Sequence, residues 1–128
     1  MRRLILMRHA KAENHAASGE DIDRALTPRG LADAERMGQV LAEADLQPDL
    51  ALVSSGLRAR QTWEAAKAAF EPVTLEVLPS LYLASADQIM ILAETLGDQA
   101  DTVIIVAHNP GLQDLTVRLI DRKSTRLN

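Results

Sequence analysis

The 128-residue sequence contains no cysteine. That excludes a disulfide framework, a thiolate metal site and a thiol nucleophile, and it fits a reducing compartment. Aromatic residues are almost missing as well, with one Trp, one Tyr and one Phe. The core must therefore be mostly aliphatic. No apolar run approaches the roughly 20 residues of a membrane-spanning helix. The opening "MRR" before "LILM" lacks the longer apolar segment and small-residue cleavage site of a secretion signal. Nor is there an excess of positive charge. The formal net charge is −4 and both signs are mixed along the chain, which argues against a nucleic-acid or anionic-membrane partner. A Gly-rich phosphate loop and an acidic cluster after the first apolar run are also lacking, so a nucleotide-binding or receiver-like module has no support. One cytoplasmic domain is expected, long enough to bury a core without staples.

What is present is an alternation of short apolar runs and helical patterns. "LILM" (Leu4–Met7), "LALV" (Leu50–Val53) and "VIIVA" (Val103–Ala107) read as strands buried on both faces. "VTLEVL" (Val73–Leu78) alternates and reads as a strand nearer the sheet edge. Between them, Thr27 caps a helix with Pro28 at its first position and Leu31, Ala34, Gly38 and Leu41 as its stripe. A second helix begins near Arg58 and turns Ala59, Trp63, Ala66 and Phe70 inward. Ser85 and Gln88 form a capping box for a third, with Ile89, Leu92, Ala93 and Leu96 as its stripe and Gly97 at its end. Asn109 and Pro110 open a fourth, whose stripe is Leu112, Leu115 and Leu119. This order predicts an α/β three-layer sandwich with a mostly parallel central sheet. The longest connection, Lys11 to Leu26, is polar, and loops of that length are often functional.

Ligands in such folds bind at the carboxyl ends of the strands. Arg8 and His9 follow the first run, Ser54, Ser55 and Arg58 the second, and His108 and Asn109 the third. Taken singly, each has a plain structural use, and Arg60 and His15 are given nothing more. No carboxylate or third histidine sits at ligand spacing, so no metal is expected. Convergence of two arginines and two histidines on one sheet edge suits phosphoryl transfer through histidine. Guanidinium forks neutralise a phosphoryl group. Their charge keeps a neighbouring imidazole neutral. A second histidine and the amides of a helix start stabilise the transition state.

"LMRHAKAE", "SSGLRARQT" and "VAHNP" resemble the histidine phosphatase superfamily, in particular its small bacterial SixA-like branch. The likeness runs from Leu4 to about Leu119, and "DIDRALTPRG" (Asp21–Gly30) is similar to the stretch before the first helix there. The resemblance implies a phosphoglycerate mutase-like fold. It implies His9 as nucleophile, passing through a phosphohistidine intermediate. Arg8, Arg58 and His108 would bind the phosphoryl group, with Asn109 as a weaker contributor. No cofactor is implied, since the arginines supply the positive charge. The implied substrate is a phosphohistidine-bearing protein of phosphorelay or phosphotransfer type.

Two departures stand out. Ala10 follows the histidine where many members have glycine, and the region "PSLYLASADQ" offers no glutamate as general acid. Asp87, Glu13, Asp21 and Asp23 are alternatives, and none is singled out. The missing acid favours a phosphoramidate leaving group over a sugar alkoxide, and the short connections leave an open site. A small-molecule phosphomonoester phosphatase and a phosphate-binding regulatory module without turnover are the rival readings. A nucleophile retained between arginines speaks against the module. The ending "RKSTRLN" resembles translated adapter sequence. Residues 1–120 are therefore expected to form the domain and 121–128 a non-native or disordered tail, with a C-terminal edge strand missing from the sheet.

Overall fold

The computed structural model describes residues 1–127, with side chains as far as Asp121. Four strands and four helices alternate: β1 (Arg3–Arg8), α1 (Pro28–Glu43), β2 (Leu50–Ser54), α2 (Leu57–Ala66), β3 (Thr74–Leu78), α3 (Ala86–Leu96), β4 (Thr102–Ala107) and α4 (Gly111–Leu127). The strands make one sheet in the order β1-β4-β2-β3, parallel throughout. The tail expected at 121–128 falls on residues that, beyond Asp121, lie outside those described at side-chain level.

Side-chain alternation along the central strands feeds two cores. Leu50, Leu52, Val103 and Ile105 face α3 and α4, meeting Ile89, Ala93, Leu112 and Leu115. Ala51, Val53, Ile104 and Val106 face the other way, meeting Ala59, Trp63 and Ala66 of α2. Every residue of β2 and β4 is buried, as continuous apolar runs in a covered parallel sheet should be. β3 is an edge strand, as its alternation predicts.

β1 departs from expectation. It lies on the other edge, and only Met7 in it is buried. The more β-branched β4 takes the place beside it in the interior.

Helix ends follow the chemistry of their caps. Thr27 Oγ1 accepts from the Gly30 amide at 2.9 Å. Ser85 and Gln88 make both halves of the capping box. The buried stripe of α1 is Gly30, Ala34 and Gly38, while Leu31, read as part of it, is 41% exposed. Small residues win because the backbone approaches closely. A Cβ on Gly30 would stand 2.1 Å from the Lys11 carbonyl oxygen, and one on Gly38 would stand 2.2 Å from that of Ala66.

The long connection is tied at its base. Ala12 bridges Leu26, the Glu13 amide donates to the Ala25 carbonyl at 2.8 Å, and Thr27 donates to Lys11 at 2.9 Å. A short 3-10 helix, Asp21–Asp23, lies in it. The loop is thereby held over the carboxyl ends of the strands.

Candidate active site

His9 leaves the end of β1 with its amide bonded to the Ala107 carbonyl at 3.1 Å. That bond continues the β1–β4 ladder for one residue and fixes the direction of the side chain. His9 Nδ1 lies 2.8 Å from the Ala10 carbonyl oxygen. A carbonyl only accepts, so the ring proton sits on Nδ1 and the lone pair on Nε2. Arg58 Nε donates toward that lone pair at 3.3 Å. Burial lowers the pKa of His9. The Ala10 contact raises it, and Arg58, Arg8 and Arg24 lower it further. The net direction is down, so the imidazole is neutral at pH 7.

His108 stands at the end of β4, its ring centroid 5.2 Å from that of His9. Its Nε2 lies 2.7 Å from Ser54 Oγ, which also accepts from the Gly56 amide at 3.2 Å. The Ser54 hydroxyl can still either donate to Nε2 or accept from it, so this contact holds the ring in place for either neutral tautomer. His108 Nδ1 is buried and has no protein partner. Burial, with the charges of Arg58 and His9, lowers the pKa of His108 to about 4.

Arg58, in the first turn of α2, is only 4% exposed. Its three nitrogens are all engaged. Nε faces His9, NH1 donates to the Asp21 carbonyl at 2.9 Å, and NH2 donates to Asp21 Oδ2 at 3.0 Å. Sequence reasoning treated the guanidinium as a free fork; here its two amino groups hold the loop. Asp21 also accepts from Arg24 NH1 at 2.8 Å and from the Tyr82 hydroxyl. The Tyr82 hydrogen bond, then Arg24 and Arg58, hold the Asp21 carboxyl well below the usual carboxylate range. Tyr82 meets the His108 ring edge-on at 5.4 Å and lies 5.8 Å from the Arg58 guanidinium carbon. Arg8 is exposed. With His9, Ala10, Lys11, Ala12 and Arg24 it lines an open pocket of about 390 Å³.

The residue-by-residue likeness can now be set beside known proteins. The family model described as histidine phosphatase superfamily, branch 1, matches residues 4–82. The chain belongs to the histidine phosphatase superfamily, in its SixA-like branch. Its sheet and flanking helices are the phosphoglycerate mutase-like arrangement. A candidate phosphohistidine phosphatase SixA from Agrobacterium tumefaciens is 32% identical with a TM-score of 0.86, over 93% of this chain and 77% of that one. The protein histidine phosphatase SixA solved with tungstate is 28% identical with a TM-score of 0.79, over 88% and 73%. An uncharacterised chloroplastic protein of Arabidopsis thaliana is 30% identical over 123 residues. That match takes in 88% of this chain but 56% of the relative, so the chain spans little more than half of its length.

Within this histidine phosphatase domain, the four residues read from the strand ends, Arg8, His9, Arg58 and His108, do share one rim. Asn109 does not join them: its Oδ1 accepts from the Gln113 amide at 3.2 Å and caps α4. The expected contribution of that helix start is reduced for the same reason, since the Leu112 amide is also committed, to the His108 carbonyl at 3.1 Å. Of the four acids weighed, only Asp21 reaches the rim. Asp87 pairs with Arg118, and Asp23 accepts from Ser18 at 2.7 Å. Glu13 holds the loop through its backbone, its carbonyl accepting from Arg24 at 2.7 Å and its amide donating to Ala25 at 2.8 Å. Sequence reasoning passed over Arg24, Thr62 and Tyr82. Thr62 Oγ1 accepts from the Ala10 amide at 2.9 Å and donates to the Arg58 carbonyl at 2.7 Å. Its spacing of four from Arg58 was the available signal, because positions i and i+4 share a helix face.

Proposed function

We propose that this chain hydrolyses phosphohistidine on a protein of phosphorelay or phosphotransfer type through a covalent phospho-His9 intermediate. The observation that carries the reading is the hydrogen bond from His9 Nδ1 to the Ala10 carbonyl, which leaves an unprotonated Nε2 at a rim of arginines. The name of the tungstate-bound SixA relative, a protein histidine phosphatase, supports the same substrate class.

The chemistry closes without a general acid. His9 Nε2 attacks phosphorus, and the P–N bond to the substrate imidazole breaks with its electron pair passing to that nitrogen. If the other nitrogen of the leaving ring carries a proton, the ring departs as neutral imidazole. Water then attacks phospho-His9, giving dihydrogen phosphate and neutral His9, which has kept its Nδ1 proton throughout. Arg8 and the Nε–H of Arg58 face the charge that develops, and the His108 ring stands beside it, 5.2 Å from that of His9.

The test is phosphate release from a phosphohistidine-carrying protein in EDTA, with His9→Ala beside it. Release that persists in EDTA and disappears in the variant is expected. A folded sample that releases nothing overturns the reading.

A further inference from the structure

A carboxylate fixed inside a phosphoryl-binding rim is an electrostatic contradiction. Arg58 turns its Nε toward the nucleophilic nitrogen of His9 and both amino groups toward Asp21. Asp21 thus lies one guanidinium width from the place where phosphorus would sit. Arg24 of the same loop and Tyr82 hold it there from two further sides, so three side chains fix one carboxylate. Its side chain is still 46% exposed. It faces the solvent through which a leaving group would arrive and depart. Such a group repels a free phosphate dianion and the dianion of an ester. It attracts a leaving group that presents an N–H or a positive charge.

We propose that Asp21 is a specificity-determining residue, whose carboxylate accepts a hydrogen bond from the N–H of a phosphohistidine leaving ring. This rests on the phosphohistidine reading above. The N–H concerned is on the ring nitrogen not bonded to phosphorus. Holding that proton in place keeps the leaving group in the form that departs as neutral imidazole, with no proton transfer during P–N cleavage. An ester oxygen has no such proton to offer and gains nothing from Asp21. The same negative charge weakens retention of the phosphate product. Tyr82 is a positioning residue for this carboxylate. Its own pKa is raised, by burial first and then by Asp21, so it remains a donor.

The experiment compares the wild type, Asp21→Asn and Tyr82→Phe on phosphoimidazole and on p-nitrophenyl phosphate, with inhibition by inorganic phosphate measured in parallel. The amide of Asp21→Asn keeps an oxygen for Arg58 and loses the charge. The ratio of kcat/KM for phosphoimidazole over the ester is expected to fall about tenfold, and phosphate is expected to inhibit about tenfold more tightly. Tyr82→Phe keeps the charge but removes one of its anchors, so it is expected to lower the same ratio by a smaller factor than Asp21→Asn while leaving phosphate inhibition unchanged. Equal losses on both substrates, or phosphate inhibition that is unchanged or weaker in Asp21→Asn, would overturn the proposal and leave Asp21 as an anchor for Arg58. A wild type that cleaves the ester but not phosphoimidazole would instead remove the phosphohistidine reading itself. Thermal unfolding of each variant separates these outcomes from misfolding.

Discussion

The hydroxyl of Thr62 joins the turn after His9 to the helix that carries Arg58. It takes the Ala10 amide and gives its proton to the Arg58 carbonyl. Because the Ala10 carbonyl in turn fixes the His9 tautomer, Thr62 acts on the proposed nucleophile at one remove. Thr62→Val keeps the shape and deletes both bonds, leaving the half-buried Ala10 amide unsatisfied at a cost of about 1 kcal/mol. If His9 is the nucleophile proposed above, turnover in Thr62→Val is expected to fall about tenfold or more, because His9 is no longer aimed. Thr62→Ser, which restores the hydroxyl, should recover most of it. Steady-state kcat on any accepted substrate checks this, and equal activity of the two variants would disprove it. The rim residues were legible to different degrees. Arg8, His9 and His108 could be read because each follows a short apolar run at the carboxyl end of a strand. Asp21, Arg24 and Tyr82 acquire their meaning from partners between 3 and 61 positions away, which no hydrophobic pattern shows, while Thr62 was signalled only by its spacing of four from Arg58.

Among the elements, α1 shows how packing overrides periodicity. Leu31 and Gly30 are both compatible with the stripe that includes Ala34, Gly38 and Leu41. The side chain that the larger residue would need to bury has no room. The loop at Lys11 and the helix at Ala66 lie against the backbone of α1. Close approach is invisible in a hydrophobicity pattern, whereas caps are local and were read correctly at Thr27 and Ser85. Gly38→Ala makes the point measurable. In an open helix this change would stabilise by roughly 0.5–1 kcal/mol. Here the new Cβ meets backbone at 2.2 Å, and backbone cannot swing aside. Overpacking of about 1–3 kcal/mol outweighs the helix gain. A lower urea midpoint for Gly38→Ala is expected, and an unchanged or higher one would show that α1 and α2 separate without cost.

For the molecule as a whole, the buried histidine couples stability to pH. His108 titrates near 6.5 when unfolded and about 4 when folded. Between those values the unfolded chain binds more protons, so stability rises with pH across the window and is complete above it. On acidification it is lost as pH falls from 6.5 through about 4, amounting to about 3 kcal/mol at most. The lowered pKa of Asp21 acts on the more acidic side of the ordinary carboxylate value, outside most of that window. Urea unfolding between pH 4 and 7 should therefore be steeper in pH for the wild type than for His108→Asn, and parallel curves would refute the assignment.

Layer class and alternation could be read from the sequence, since they follow from run length and helical spacing. Strand order could not, because hydrophobic runs do not say which neighbour they pair with. That order has a consequence for how the molecule comes into being. β4 is the hub that β1 and β2 both grip, with Arg3 aligned to Thr102 and Leu50 to Val103. It is also the last of the four strands to be synthesised. A nascent chain halted before Thr102 can pair β2 with β3 but leaves β1 without a neighbour and the rim without His108, so the full sheet and the rim close only once β4 is made. The strand Arg3–Arg8 must wait, unpaired, for the six residues Thr102–Ala107.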